Sequence, residues 1–165
     1  PAGKLRGAVR EYLQVLTLKA LYERKASKGL LFLGGTALRL GHGLGRFSED
    51  LDFDADSLTL GGWTVLLEET AHELSRVGLS VQVRGVEKGS LLTGDIRFLQ
   101  VLHAYHIASQ PTEKLRVKVE ANRPGYPLSA EPRLVSAYGE MVAVEFAASG
   151  LIFAEKLLAF LNLEQ

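Results

Sequence analysis

Aspartates occupy alternate positions in the stretch DLDFDAD, residues 50–56. On a β-strand, side chains two positions apart project from the same face, so Asp50 and Asp52 would lie together while Leu51 and Phe53 enter the core. Two carboxylates at that separation repel each other unless a cation lies between them. Mg²⁺ or Mn²⁺ accepts such oxygen ligands. The spacing therefore predicts a divalent metal site on a strand.

The end of this stretch allows two interpretations. Asp54 could extend the row of carboxylates, but a solvated turn is favoured for Asp54 and Asp56, because Ala55-Asp56-Ser57 has the composition of a loop. An EF-hand loop also begins with alternating acidic residues. It needs glycine at its sixth position and glutamate at its twelfth, where this sequence has Ala55 and Gly61. The calcium-loop interpretation therefore fails.

A glycine-rich segment precedes the aspartates. Gly34, Gly35 and Thr36 follow an apolar strand and open a predicted helix, so backbone N–H groups and the threonine hydroxyl could bind an anion. A triphosphate bound there would bring its reacting phosphorus close to the aspartates. Three further residues nearby are candidate nucleotide ligands: Arg39, Arg46 and Ser48. Two alternatives stay open, in which Thr36 caps the helix and the arginines cover the loop.

The composition limits the class of protein. The chain has 165 residues, 47% hydrophobic and 23% charged, which suits a single domain over residues 1–165. It has no cysteine, which fits a reducing cytoplasm, and no apolar run approaches the roughly 20 residues of a membrane helix. The 19 basic residues equal the 19 acidic residues, so no global field indicates a nucleic-acid partner.

The periodicity of apolar residues predicts an α+β domain with helices packed on a mixed, mostly antiparallel sheet. Helices are expected at residues 7–27, 36–40 and 63–77, and another from residue 151 onward. Strands are expected at residues 30–33, 49–54, 79–86, 95–105, 114–121 and 141–146, with the third to fifth forming an antiparallel meander. Turns are expected at GHGLG and at KGSLLTG.

Two groups of residues on the expected meander bear on function. Six basic residues could form a local patch if they share a face: Arg84, Lys88, Arg97, Lys114, Arg116 and Lys118. The pair His103 and His106 lies in a strand-like stretch, where positions three apart face opposite sides, and this argues against a zinc site.

Several motifs together resemble the AbiEii/AbiGii toxin nucleotidyltransferases of the polymerase-β-type superfamily. GGTALRL and RFSEDLDF resemble the first motif, Lys118-Val119-Glu120 the second and Glu155-Lys156-Leu157 the third. The resemblance implies a nucleotidyltransferase fold in which Asp50, Asp52 and Glu120 hold the metal. It also implies that Lys118 and Lys156 face the triphosphate, with Lys156 neutralising its charge. The family's fourth motif does not follow, so a further C-terminal helical part is expected.

The same resemblance implies an activity and its setting. The expected reaction is metal-dependent transfer of a nucleoside monophosphate from an NTP to an acceptor hydroxyl, with RNA or the end of a tRNA as acceptor. The expected role is the toxin of a toxin–antitoxin or phage-defence system, with a separately encoded antitoxin as partner and no membrane. Two alternatives remain: an acceptor that is a protein or a small molecule, and a non-catalytic domain that binds nucleotide or antitoxin.

Overall fold

The structure, a computed structural model, describes residues 2–125 and 127–148. Its helical segments are α1 (Ala2–Tyr22), a 3₁₀ helix (Lys25–Ser27), α2 (Gly34–His42), α3 (Leu60–Arg76) and α4 (Val101–Ala104). Its strands are β1 (Leu30–Leu33), β2 (Asp50–Ala55), β3 (Val81–Lys88), β4 (Leu91–Phe98), β5 (Leu115–Asn122), β6 (Ala130–Ala137) and β7 (Glu140–Ala147).

The seven strands form one mixed sheet in the order β3-β4-β5-β2-β1-β7-β6. Strands β3, β4 and β5 form the expected antiparallel meander. Strand β2 lies parallel to β5 and antiparallel to β1, while β7 lies parallel to β1 and antiparallel to β6. The α+β class and the mostly antiparallel sheet are therefore confirmed.

One face of the sheet is buried beneath helices. Phe32, Phe53 and Phe146 lie side by side on neighbouring strands, with ring centroids 5.3 and 5.4 Å apart. Helix α3 covers the meander on this face, where a Cβ atom added to Gly94 would lie 2.9 Å from the side chain of Leu67. Because the apolar residues alternate along β4 and β5, their polar neighbours project from the opposite face.

The helix boundaries differ from the expected ones for local reasons. Helix α1 begins before residue 7 and ends at Tyr22, and a separate 3₁₀ turn covers the last residues of the predicted helix. Helix α2 includes the two glycines and extends to His42, where Gly43 ends it in the left-handed conformation with φ 71°. Helix α3 begins after Thr59, whose side chain accepts a hydrogen bond from the N–H of Gly62 at 3.1 Å.

The sheet differs from the prediction at three points. The expected turn KGSLLTG is mostly strand, because the chain reverses at Gly89 and Ser90, and β4 then ends at Phe98 instead of continuing to residue 105. His103 consequently lies on α4, so the strand argument about the histidine pair does not apply. Strand β6 was not predicted; it contains Pro132, which an edge strand tolerates.

In the described part of the chain, no helix combines the length and the apolar character needed to cross a bilayer. The helix expected from residue 151 onward lies outside the described residues.

Candidate active site

The predicted carboxylates meet where β2 and β5 run side by side. In the parallel register, Asp50 lies opposite Lys118 and Asp52 lies opposite Glu120. Neighbouring strands are about 4.8 Å apart, and alternation puts all four side chains on the face of the sheet opposite α3. The structure thus brings together three carboxylates and a lysine from segments that are distant in sequence.

Asp54 also belongs to this face, and its assignment to a solvated turn was wrong. Asp54 is the fifth residue of β2, is only 1% exposed, and lies opposite Asn122 of β5. Asp56 does follow the strand, in an exposed bend. The regular alternation of aspartates was the available signal for Asp54, because it continues for the whole length of the strand.

Charge is partly compensated within the site. The Lys118 Nζ atom lies 2.7 Å from Oε1 of Glu120. The hydrogen bond to Glu120 raises the pKa of Lys118, against the opposing effect of burial. Burial raises the pKa of the Asp50 carboxyl, Lys118 lowers it, and Glu120 raises it again. The net shift for Asp50 is upward, so the folded protein disfavours the charged form of this group.

We therefore expect Asp50→Asn to raise the melting temperature at pH 7 in the presence of EDTA. The folded-state pKa lies above the unfolded one, so ionisation of Asp50 destabilises the fold as pH rises through the folded value. The gain should disappear below about pH 4, where the aspartate is protonated in both states. Thermal unfolding of both proteins across this range measures the effect. A lower melting temperature for the variant at pH 7 would contradict it.

Gly34 and Gly35 allow α2 to begin directly against the carboxylates. Gly34 has φ +79°, and a Cβ atom there would overlap the Asp52 carboxylate. A Cβ atom at Gly35 would lie 2.6 Å from Oγ of Ser48. The residue before the helix, Leu33, provides no side-chain cap. The first N–H groups of α2 therefore lie close to Asp52, and the side chain of Leu33 does not accept a hydrogen bond from them.

Thr36 has a different role from the two considered for it. Its hydroxyl donates a 2.5 Å hydrogen bond to the backbone carbonyl of Asp50, and the residue is fully buried. It is neither a helix cap, since Leu33 holds that position, nor exposed to a ligand. Thr36 instead fixes the start of β2 against α2. In contrast, Arg46 is exposed, and no hydrogen bond or ion pair to it occurs among the described residues.

Arg39, a predicted nucleotide ligand, is directed away from the carboxylates. Its guanidinium pairs with Glu11 of α1 through Nε–Oε2 and through a 3.1 Å Nη2–Oε1 hydrogen bond. It also lies 4.3 Å from the ring centroid of Phe47, on the segment that leads into β2. Glu11 accepts a further 2.7 Å hydrogen bond from the Tyr138 hydroxyl, and burial together with this bond raises the pKa of Tyr138 to about 12. The geometry favours the interpretation that Arg39 covers the loop.

Removing one partner of this pair is expected to destabilise the fold strongly. Arg39→Gln leaves the Glu11 carboxylate, whose side chain is 8% exposed, without its cation, so we expect a loss of about 3 kcal/mol in the free energy of unfolding. Urea unfolding measures it. The double variant Glu11→Gln/Arg39→Gln should lose less than the sum of the two single variants.

A matched control is Arg6→Gln, because Arg6 pairs with Glu113 at 2.8 Å with both side chains about two-fifths exposed. An exposed pair contributes about 0–1 kcal/mol. Equal losses at Arg6 and Arg39 would show that burial of Glu11 does not matter.

The carboxylate face opens into a pocket of about 300 Å³, bordered by Gly34, Asp52, Asp54, Glu120 and Asn122. A larger cleft of about 380 Å³ between residues 22–28 and β7 contains none of these groups. As the side chains stand, no three acidic or histidine residues in the described part of the chain converge closely enough to hold a metal ion. Mg²⁺ commonly uses one or two carboxylates and completes its shell with water and substrate phosphates, so the oxygen donors here suit it.

Lys156, the remaining predicted site residue, lies outside the described residues. Asn122 and Asp95 were not predicted to border the site. Asp95 lies opposite Lys118 on the far side of β5. Their positions depend on strand pairing, for which the sequence carries no local signal.

Comparison with known proteins places these residues in a family. A profile described as nucleotidyl transferase AbiEii toxin, type IV toxin–antitoxin system, matches residues 17–165. No curated protein gave a significant match. The chain is similar to the solved structure of JHP933 from Helicobacter pylori, with 24% identity and a TM-score of 0.63 over 92% of this chain and 56% of that one.

A second similar structure is MenT4, a nucleotidyltransferase toxin from Mycobacterium tuberculosis H37Rv, with 22% identity and a TM-score of 0.57 over 92% of this chain and 52% of that one. At such identities the likeness shows the fold, and the chain spans a little over half the length of both structures. The profile covers most of the sequence and includes every residue of the carboxylate face. The chain therefore belongs to the AbiEii nucleotidyl transferase toxin family.

Proposed function

We propose that this chain carries the catalytic site of a metal-dependent nucleotidyltransferase that moves a nucleoside monophosphate from an NTP to an acceptor hydroxyl. The observation that supports it most is the β2–β5 register, which puts Glu120 beside Asp52 and Lys118 beside Asp50 at the start of α2. In the reaction, the acceptor oxygen bonds to the α-phosphorus and the bond to the bridging oxygen breaks. Pyrophosphate leaves with that electron pair, and the hydroxyl proton passes to a carboxylate of the site.

Asp50 and Asp52 are the proposed metal ligands, with Glu120 as the third carboxylate. Mg²⁺ or Mn²⁺ bound there would draw charge from the phosphate oxygens and orient the attacking and leaving groups. Burial, and to a smaller extent the charge of Glu120, raise the pKa of Asp50, and a bound cation would offset both effects. Glu120 must exchange its contact with Lys118 to take part, which leaves the ammonium group next to the phosphates.

The phosphates are proposed to lie against the start of α2. The backbone N–H groups of Gly34 and Gly35 supply donors and the positive end of the helix dipole. Lys118 supplies a mobile charge, and Ser48 and Arg46 lie on the segment that follows α2. Lys156 is proposed to neutralise the triphosphate from outside the described residues. Because these groups act by position and charge, most of the rate enhancement would come from preorganisation.

RNA, and a tRNA end in particular, is the proposed acceptor, and a separately encoded antitoxin is the proposed partner. Family membership supports the toxin–antitoxin setting, and the cytoplasm is the proposed location. A protein or small-molecule acceptor is the alternative within enzymes. A domain that binds nucleotide or antitoxin without turnover is the alternative outside them.

Isothermal titration of each NTP in the presence of Mg²⁺ tests the proposal, using wild type and Asp50→Ala/Asp52→Ala. Metal-dependent NTP binding that is lost in the double variant would support the site. It would also identify which NTP to use in labelled-transfer assays with tRNA. Binding without any transfer by the full protein would favour the non-catalytic alternative. Metal-independent binding that survives in the double variant would refute the metal site.

A further inference from the structure

A group of basic side chains continues the carboxylate face across the meander. We name it the basic strip: Arg84, Arg97, Lys114 and Arg116. Arg97 and Arg116 lie opposite each other on β4 and β5. Arg84 lies one row further along, opposite Asp95, which in turn lies opposite Lys118. Lys88 lies on the same face of β3 as Arg84, and Lys114 donates a 3.0 Å hydrogen bond to Gln82, which lies opposite Arg97. The basic residues expected on the meander are therefore on the face that carries Asp50 and Asp52.

The strip is exposed because α3 packs on the other side of the meander. The side chains of Arg97 and Arg116 are 44% and 54% exposed, and Arg84 and Lys114 are exposed as well. On the opposite face, Gly85 and Gly94 lie against Trp63 and Leu67. The chain as a whole is electrically neutral, with 19 basic and 19 acidic residues, so the positive charge here is local.

One carboxylate organises the two central arginines. Asp95 pairs with Nη2 of Arg97 at 3.4 Å and with Nε of Arg116. Its own side chain is 18% exposed. A guanidinium group has five N–H donors, so each arginine retains donors that point away from Asp95. The arginines are thus held in place while still able to bind an anion in the bidentate manner that suits phosphate.

The strip leads to the catalytic carboxylates over a short distance. Arg116 lies two residues before Lys118 on β5, and Lys118 lies opposite Asp50 on the neighbouring strand. Strand geometry puts the Cα atoms of Arg116 and Asp50 about 8 Å apart. An extended chain of phosphates on the strip would therefore reach the carboxylates without crossing another element of the described fold.

The chemistry of the strip favours a phosphodiester backbone over a protein surface. The other residues in its two rows on the meander are Gln82, Asp95 and Lys118, all of them polar or charged. The next row contains one exposed apolar side chain, Val86, beside Thr93. Protein interfaces concentrate binding energy in aromatic and apolar anchors. Contacts by arginine and lysine to phosphate position a nucleic acid without reading its bases.

We propose that the basic strip binds the phosphodiester backbone of the acceptor nucleic acid and directs its terminal hydroxyl to Asp50 and Asp52. The proposal rests on the nucleotidyl transfer proposed above and adds the surface that holds the acceptor. The strip contributes affinity and not base preference. It acts on the acceptor and leaves NTP binding to the pocket beside Gly34.

The test compares Arg97→Gln/Arg116→Gln with Lys25→Gln/Lys28→Gln, which removes the same charge from exposed residues between α1 and β1. Arg84→Gln is a third variant, chosen because no ion pair to Arg84 occurs within the described ranges 2–125 and 127–148. Fluorescence anisotropy of a labelled single-stranded RNA gives the affinity of the full chain between about 50 and 200 mM salt. A DNA of the same sequence is the second probe, and titration of the NTP is run in parallel.

The strip variant, Arg97→Gln/Arg116→Gln, should bind RNA at least about 10-fold more weakly than wild type. The slope of log affinity against log salt concentration should decrease in magnitude by about 1.4, or about 0.7 for each lost phosphate contact. Arg84→Gln should lower the slope by about half as much, while the Lys25/Lys28 variant and all NTP affinities should be unchanged. Equal weakening for RNA and DNA would show that the strip reads phosphate alone, and weakening for RNA alone would show that the 2′-hydroxyl matters.

Unchanged RNA affinity in the strip variant would overturn the proposal, as would equal weakening in the Lys25/Lys28 variant. Labelled transfer separates this failure from failure of the proposed function. If Arg97→Gln/Arg116→Gln transferred nucleotide to RNA at the full wild-type rate, the proposed role of the strip would be refuted and the proposed enzymatic function retained. If RNA binding depended on the strip but no transfer occurred, the RNA-binding surface would be supported and the proposed enzymatic function refuted. Transfer to a protein hydroxyl, with no RNA binding by wild type, overturns the strip as a nucleic-acid surface.

Discussion

Asp52→Asn is expected to lower the rate of nucleotidyl transfer by about 10³-fold or more, equivalent to about 4 kcal/mol of transition-state stabilisation. Asp52 lies at the centre of the site, between Glu120 on β5 and the glycine start of α2. Asparagine keeps the shape of the side chain but lacks the negative charge of the carboxylates through which Mg²⁺ is commonly bound. Transfer of a labelled nucleotide to RNA by both proteins, at matched concentration, measures the loss.

The control is Asp56→Asn, which removes the same charge from a residue that is exposed in the bend after β2. We expect its transfer rate to equal that of wild type. Circular dichroism and thermal unfolding establish that both variants fold. If Asp52→Asn retained more than about a tenth of the wild-type rate, Asp52 would not be a metal ligand in the transfer step.

Gly34→Ala is the second large expected effect, with a loss of about 10²-fold in transfer rate. The new methyl group would overlap the Asp52 carboxylate and displace it from its position in the site. In addition, φ +79° is a left-handed conformation that costs an alanine about 1–2 kcal/mol. The variant should therefore be both less stable and less active.

Gly43→Ala separates these two causes. Gly43 also has positive φ, at +71°, but no atom lies within 4 Å of an added Cβ. It should lose stability to a similar degree while retaining its transfer rate at a temperature where both variants are folded. Equal loss of rate in the two glycine variants would show that backbone strain in α2, and not displacement of Asp52, explains the effect. Urea unfolding and labelled transfer together provide the comparison.

The local parts of the site could be predicted from residue patterns, whereas Glu120 and Lys118 could be assigned to it only through the family resemblance. Alternation assigned Asp50 and Asp52 to one face of a strand, and the glycines placed a helix start before them, as the structure has it. The same alternation includes Asp54, although the composition of Ala55-Asp56-Ser57 favours a loop. The neighbours of Asp54 on β1 and β5, Leu31 and Asn122, are set by strand pairing, which a local pattern does not contain.

Arg39 illustrates the same difficulty for an arginine near a phosphate motif. Its partner Glu11 lies 28 residues earlier in the chain, on a helix whose position depends on the whole sheet. The hydroxyl of Tyr138 reaches that carboxylate from the turn between β6 and β7. Sequence proximity to the glycines suggested a nucleotide ligand, whereas tertiary packing gave Arg39 a buried carboxylate. Thr36 was misassigned for the same reason, since its acceptor is the carbonyl of Asp50.

The parallel pairing of β2 with β5 determines when, during synthesis of the chain, the complete site can form. Glu120 follows Asp52 by 68 residues, and the intervening chain must form α3 and the first strands of the meander before the two meet. Contacts of such sequence separation form late, because the entropy of closing the loop is lost before they contribute. A nascent chain that has left the ribosome only as far as β4 has the aspartates but lacks Glu120 and Lys118. A chain interrupted in the meander therefore lacks two of the groups that the proposed reaction requires.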